Sequence, residues 1–370
     1  MQFVFTEEQD ELRRSLRRFL EERSPLSEVR RVMESPEGYD RGVWTQMAEQ
    51  LGLQGIALPE GVGGAGCGAV EVGIVMEELG RALLPSPYFA SVCLAANALV
   101  SAADGAARAA YLPGIADGST VATLALCEAS GSWAVGDVAM EAMASGDGWT
   151  LTGTKRFVLS GAEASLFLVV ARTPAGVSLF AVEAGAEGLE RSPLPVLDLT
   201  RPQADLTFAA TPARLVSEGD VAGALQVALD RATIALTAEQ VGGAARCLET
   251  SVAYAKQRIQ FGRPIGSFQA IKHKCADMLV DVESARSTAY YAAWALEEGE
   301  EDPAELASLA KAACSEAYFH CAAENIQIHG GIGFTWEHDA HLFFKRAKTD
   351  ELLLGDPVTH RARLAHLIAL

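Results

Sequence analysis

The chain has 370 residues, 49% of them apolar, enough to bury a large core and to divide into two or three domains. Its 30 basic residues against 48 acidic ones leave a net charge of −18, which argues against nucleic acid or an anionic membrane surface as partner; any phosphate it binds must be met by a few placed groups. The seven cysteines are odd in number and never spaced Cys-x-x-Cys, so they signal neither a disulfide framework nor a zinc site and fit a reducing cytoplasm.

The first ten residues are acidic and amphipathic instead of basic and then apolar, so they do not read as a signal peptide. Thr6 followed by Gln9 is a capping-box pattern, and Phe5, Leu12, Leu16, Phe19 and Leu20 then fall near helical spacing, which predicts a helix from about residue 6. Val43, Trp44, Met47 and Leu51 mark a second helical face, and Val70 to Leu84 a further helix closing near Pro85. Between them, Pro59-Glu-Gly-Val-Gly-Gly-Ala-Gly66 has the glycines of a phosphate loop. It lacks the Lys-Ser/Thr that would hold phosphate and metal, and the plainer expectation is a glycine turn.

From about Ser119 the pattern becomes strand-like: Val121–Leu126, Trp149–Leu151, Arg156–Leu159, Leu166–Ala171, Val177–Val182 and Ala204–Phe208 are short and separated by turn residues, with Gly146-Asp-Gly148 as a hairpin signal. The most apolar window, Ser165 to Ala184, is interrupted by Arg172, Pro174 and Gly176 and predicts no membrane span. After Gly219 the chain is helical again. A proline-free apolar run from about 221 to 257 has the character of a helix through a bundle core, and Gly242-Gly-Ala-Ala245 would let a neighbouring helix approach closely. Further helices are expected at about 267–297, from Asp302-Pro303 to Gly330, and at about 339–354. The expected domains are therefore a helical 1–118, a β domain 119–216 and a four-helix bundle 217–370.

Two stretches carry chemistry. Arg258-Ile-Gln-Phe-Gly-Arg-Pro-Ile265 places a guanidinium, an amide and an aromatic ring where a long helix gives out. Gln327-Ile-His-Gly-Gly-Ile-Gly-Phe334 ends another long helix in two glycines, whose backbone admits close approach of a ligand. Together they suggest a cradle for a pyrophosphate-containing cofactor. Taken singly, each has an ordinary explanation as a helix-end arginine or a glycine cap. Glu337-His-Asp-Ala-His341 is not read as a metal site: it offers two histidines one turn apart and no further Cys/His cluster.

Helical N-terminal domain, β-barrel or sandwich middle domain, and C-terminal four-helix bundle bearing these two motifs resemble the acyl-CoA dehydrogenase family along the whole chain. The resemblance implies FAD held between two subunits, an acyl-CoA substrate, and an electron-transfer flavoprotein or similar acceptor. Carried over position by position, it implies that Arg258, Gln260, Phe261, Gln269, Gln327, Gly330 and Gly331 contact the ADP half of a neighbour's flavin.

The resemblance also exposes losses. Most of the family places its catalytic glutamate in a Tyr-Glu-Gly-Thr run after the last bundle helix; here the stretch is Leu353-Leu354-Gly355-Asp356, with Leu354 at the base position. A subgroup places the glutamate early on the long helix, where this chain has Ala232. The family's Thr-Glu-Pro-Gly-Ala-Gly-Ser-Asp becomes Cys127-Glu-Ala-Ser-Gly-Ser-Trp133. Its flavin-contacting Trp-Ile-Thr becomes Phe157-Val-Leu159, and leucine cannot donate the threonine's hydrogen bond.

The expectation is thus a subunit with no catalytic residue of its own, in an α2β2 heterotetramer with a paralogous subunit that carries the glutamate. Such assemblies, known from actinobacteria, act on CoA thioesters of steroid side chains. One competing expectation is a self-sufficient homo-oligomer with a displaced base: Glu239, two turns after Ala232, with Glu351 and Asp356 behind it. Another is a flavin monooxygenase of the same fold.

Overall fold

Helix α1 (Glu7–Arg23) begins where Thr6 and Gln9 cap each other: the Gln9 amide donates to Thr6 Oγ1 at 3.2 Å and the Thr6 amide to Gln9 Oε1 at 2.9 Å. The computed structural model that shows this describes residues 5–146, 148–299 and 301–370. Its helices continue as α2 (Leu26–Met33), α3 (Arg41–Glu49), α4 (Ala69–Ala82), α5 (Asn97–Ala102), α6 (Gly105–Ala116), α7 (Ala222–Gln257), α8 (Gln269–Glu298), α9 (Pro303–His329), α10 (Ala340–Leu352) and α11 (Pro357–Leu367). They divide between two compact units, one of Met1–Val29, Ala69–Leu84 and Thr233–Leu370, the other of Arg30–Gly68 and Pro85–Ala232.

In the first unit, α4 crosses α7 with backbone against backbone. A Cβ added at Gly242 would lie 1.9 Å from the Glu77 carbonyl oxygen, and one at Gly80 would lie 2.1 Å from that of Glu239. Glycine at both positions is what lets the helices touch. Gly243 meets the Tyr318 ring in the same way, at 2.3 Å, bringing in α9. Helix α1 is fastened by charge. Glu77, 3% exposed, accepts from Arg13 at 2.6 Å, from the Tyr290 hydroxyl at 2.6 Å, and from Arg286 of α8. Burial alone would raise its carboxyl pKa, but the two guanidiniums hold it below the ordinary range. Helix α9 starts as its sequence predicts, with Asp302 accepting from the Ala304 amide at 2.8 Å and Pro303 in the first turn. Helix α11 lies outside the sequence expectation, although Asp356-Pro357 repeats that signature.

The second unit holds a mixed sheet: β1 (Ala122–Ala125), β2 (Ala142–Ser145), β3 (Gly148–Leu159), β4 (Leu166–Thr173), β5 (Gly176–Glu183), β6 (Leu189–Pro193) and β7 (Gln203–Leu215). The order is β1-β4-β5-β7-β3-β2, with β6 also paired to β7. Strands β1 and β4 run parallel and the other pairs antiparallel. The sheet stays open instead of closing into a barrel. Its β1 end is covered by a helical segment, Phe89–Ala96, whose Ser91 hydroxyl donates to the Ala122 carbonyl at 2.8 Å and accepts its amide at 3.0 Å. The hairpin signal is met by β2 and β3, with Ser145 opposite Gly148; Asp147 of the signal lies outside the described residues.

The glycine-rich run forms a turn that folds on itself. The amides of Gly64, Ala65, Gly66 and Cys67 donate to the carbonyls of Pro59, Gly55, Leu58 and Ile56, and a Cβ at Gly64 would sit 2.0 Å from the Leu58 carbonyl oxygen. Those amides face their own chain, which is the turn reading and not the phosphate-loop one.

Candidate cofactor and catalytic site

At the end of α7 the Arg258–Ile265 stretch becomes a two-residue hairpin, β8 (Ile259–Gln260) against β9 (Arg263–Pro264), closed by an Ile265 amide to Arg258 carbonyl bond of 2.8 Å. Its turn residues Phe261 and Gly262 both have positive φ, 51° and 76°, the twist that a tight hairpin prefers. Phenylalanine adopts that conformation at a cost, and here its ring is 91% exposed. Arg263 stacks on the Phe268 ring, 4.2 Å from its centroid. Gln269 opens α8, its side-chain amide 3.1 Å from His273 Nε2.

Helix α9 terminates at Gly330, whose φ of 65° and ψ of −144° suit glycine and turn the chain outward. A Cβ at Gly330 or Gly331 would meet nothing within 4 Å, whereas one at Gly333 would lie 2.9 Å from both His329 Cβ and the Ile326 carbonyl. The first two glycines therefore face open space and the third packs inward. Gln327 is exposed, as are Phe334 (82%) and Trp336 (70%), and Lys345 lies 4.1 Å above the Trp336 ring.

The two motifs are fastened together by contacts that the spacing of their residues does not announce. Tyr254 in the last turn of α7 and His329 at the end of α9 stack with centroids 4.3 Å apart, and His338 lies 4.3 Å beyond. Burial lowers the His329 pKa, and its Nδ1 lies 2.7 Å from the Asn325 carbonyl. The Asn325 side-chain oxygen accepts from Ser251 at 2.9 Å and Thr250 at 3.2 Å, tying α9 to α7 again. Arg258, Gln260, Phe261, Gln269, Gln327, Gly330 and Gly331 are all exposed in this chain. A planar donor fork, amides and open glycine backbone suit the pyrophosphate and adenosine of a dinucleotide, so the residues present fit the ADP half of FAD.

The base positions are inert. Ala232 is fully buried, and Leu354 is 7% exposed in a left-handed conformation with φ 62°. The Leu354 turn is held from behind. The fully buried Lys311 donates to the carbonyls of Glu351 and Gly355, each at 2.9 Å, and His360 Nε2 lies 3.0 Å from the Leu354 carbonyl. Burial lowers the Lys311 pKa to about 8 against the pull of Asp350 and Glu351.

Each substitute carboxylate has another task. Glu239 and Arg346, both 2% exposed, form a buried ion pair across the bundle. Glu351 accepts from Lys348 at 2.9 Å. Asp356 caps α11, taking the Thr359 amide at 2.8 Å, and that bond lowers its pKa. His338 and His341 belong to the aromatic stack and to a Trp336 edge contact at 5.0 Å; among the described residues no group of three or more His, Cys, Asp or Glu side chains is placed to hold a metal.

In the sheet, Glu128 is a structural carboxylate. It accepts from the fully buried Lys155 at 2.7 Å and from the Met140 and Ala139 amides at 2.9 and 3.0 Å, which shapes the loop from Cys127 onward. Phe157 sits on a bulge of β3 with φ 55° and 39% exposure, while Leu159 is 3% exposed.

Models of the acyl-CoA dehydrogenase N-terminal, middle and C-terminal domains match residues 6–119, 123–209 and 222–368. This chain belongs to the acyl-CoA dehydrogenase family, FAD-dependent oxidoreductases acting on acyl-CoA thioesters. It is 36% identical over 361 residues to the acyl-CoA dehydrogenase IpdE2 of Mycolicibacterium smegmatis, covering 97% of this chain and 98% of that one. Among solved structures it resembles a variant of the Tcur3481–Tcur3483 steroid ACAD, with 35% identity, a TM-score of 0.89 and 98% of each chain covered. It also resembles the ChsE4–ChsE5 complex from Mycobacterium tuberculosis, with 31% identity, a TM-score of 0.90, and 100% of this chain and 99% of that one covered.

Proposed function

We propose that this chain is the base-lacking subunit of a hetero-oligomeric FAD-dependent acyl-CoA dehydrogenase, working in the cytoplasm with a paralogous subunit that carries the catalytic glutamate. The observation that carries the reading is a contrast within one bundle. The residues suited to an ADP moiety face outward from this chain, while both family base positions hold alkyl side chains and the nearby carboxylates are bound to Arg346, Lys348 and the Thr359 amide.

In the assembly, Arg258 would hold pyrophosphate with its fork, and Gln260, Gln269 and Gln327 would supply amide hydrogen bonds. Gly330 and Gly331 would let the backbone come close, and Phe261 would cover apolar surface of the nucleotide. FAD, when bound, supplies the hydride acceptor for α,β-dehydrogenation, and an electron-transfer flavoprotein or similar protein takes the electrons onward. The α-proton goes to the partner's glutamate, since this chain offers alkyl groups at both family base positions. Similarity to the Tcur3481–Tcur3483 steroid ACAD and to the two-chain ChsE4–ChsE5 complex supports a steroid side-chain thioester as substrate and a heterotetramer as the working form.

Co-expression with the paralogous chain tests the cradle. Arg258→Ala together with Gln327→Ala in this chain is expected to lower flavin content of the purified complex at least tenfold with its size unchanged. An unaltered flavin content would overturn the assignment.

A further inference from the structure

Behind the residues suited to a cofactor, the first unit holds a line of three rings, and hydrogen bonds fix where two of them carry their protons. Tyr254, His329 and His338 stack with successive centroids 4.3 Å apart, tilted by 32° and 46°. One end of the stack holds the hairpin, because Arg258 donates its amide to the Tyr254 carbonyl at 2.8 Å. The middle holds the Gly-Gly turn, because His329 is followed directly by Gly330, where α9 ends at φ 65°. The far end reaches the next helix: the first amide of α10, that of Ala340, donates to His338 Nδ1 at 3.1 Å.

These bonds assign the tautomers. A carbonyl only accepts, so His329 Nδ1, 2.7 Å from the Asn325 carbonyl, carries a proton. An amide only donates, so His338 Nδ1 carries none. A proton added there would set two N–H groups against each other and place a cation at the positive end of α10. A proton added to His329 would put charge in a buried ring beside the other imidazole. Burial first, with the His338 ring adding to it and the Asn325 carbonyl opposing it, lowers the His329 pKa, so the folded stack favours neutral imidazole and weakens as the pH falls. Other titratable or charged groups around the stack are Tyr254 itself, Arg258 one turn on, Glu337 and Asp339 on either side of His338, and His341 and Lys345 of α10, which meet Trp336. They bear on where the stack titrates, whereas the wiring decides what a proton breaks. We propose, resting on the cofactor reading above, that Tyr254, His329 and His338 are positioning residues forming a proton-sensitive clasp, which holds the Arg258 hairpin and the Gly330-Gly331 turn as one surface while both imidazoles are neutral and parts them when either takes a proton.

In the co-expressed hetero-oligomer, a jump from about pH 8 to about pH 5 is expected to speed flavin release at least about tenfold. His329→Phe with His338→Asn keeps a ring in the middle of the stack and an acceptor for the Ala340 amide but takes up no proton, so its release rates at the two pH values should agree within about threefold. Tyr254→Leu, which removes one end of the stack, should speed release at both. Hydrogen exchange over residues 326–340, corrected for its intrinsic pH dependence, reads the clasp without flavin: acid should open this segment in the unaltered chain and not in the double variant. No acid effect on release in the unaltered chain, acceleration that survives the double substitution, or a release rate indifferent to Tyr254→Leu overturns the clasp. If acid opens the segment while flavin content is indifferent to Arg258→Ala with Gln327→Ala, the cofactor reading is what fails.

Discussion

Glu239 is the residue on which the competing account of catalysis turns, and its surroundings decide what it does. A general base must reach carbon-bound hydrogen in the substrate with a carboxylate available to take the proton. Glu239 instead holds Arg346 in an ion pair that both side chains bury. Removing one partner of such a pair strands the other charge, so Glu239→Gln is expected to cost about 3–5 kcal/mol in denaturant unfolding. In the intact hetero-oligomer it should leave kcat within about twofold. A base would behave the opposite way.

Lys311 gives a second residue-scale prediction. Its native pKa is lowered to about 8 from an ordinary 10.5. Between those values the unfolded chain binds more protons than the native one, so stability attributable to this group rises with pH across that window, by on the order of 3 kcal/mol in total. Lys311→Met should flatten that rise in unfolding measured from about pH 7.5 to about pH 10.5; an unchanged slope would show that other groups produce it.

The alkyl side chains at the family's two base positions, Leu354 and Ala232, were legible in the sequence, because their chemistry needs no structure to be read. The buried partners of Glu239 and Lys311 were not, since Arg346 and the Gly355 carbonyl are brought to them only by the bundle.

At the scale of elements, the glycines separate two roles that sequence alone leaves mixed. Gly242 and Gly80 are steric necessities of the α4–α7 crossing, and Gly331 faces open space. Gly242→Ala is therefore expected to destabilise by at least ~2 kcal/mol, because a backbone carbonyl stands where the methyl must go. Gly331→Ala should change stability by less than ~0.5 kcal/mol, and a bulkier Gly331→Val in the complex should reduce flavin retention. Chemical denaturation and flavin release together distinguish these outcomes.

The long helices α7 to α10 were readable from periodicity and from the Asp302-Pro303 start. Strand β6 and helices α2, α5 and α6 were not, being short segments whose form is set by what they pack on. The joining of the two cofactor motifs was equally hidden. Tyr254 and His329 are ordinary aromatic residues in sequence, and only their 4.3 Å stack makes the hairpin and the Gly-Gly turn one surface.

For the whole molecule, the net charge of −18 and the outward-facing cradle belong together. A chain this acidic attracts a phosphate-bearing cofactor only through placed groups, and the ones proposed for that task, Arg258, Gln260, Gln269 and Gln327, are all exposed. Among the described residues no helix is long and apolar enough to cross a membrane.

The most direct measurement is acyl-CoA turnover by the purified chain alone and after reconstitution with its paralogous partner, FAD being supplied to both. The account predicts no dehydrogenation by the isolated chain, activity in the pair, and loss of that activity when the partner's catalytic glutamate is replaced by glutamine. A flavin-loaded preparation of this chain alone that converts a saturated acyl-CoA to its enoyl product would contradict it.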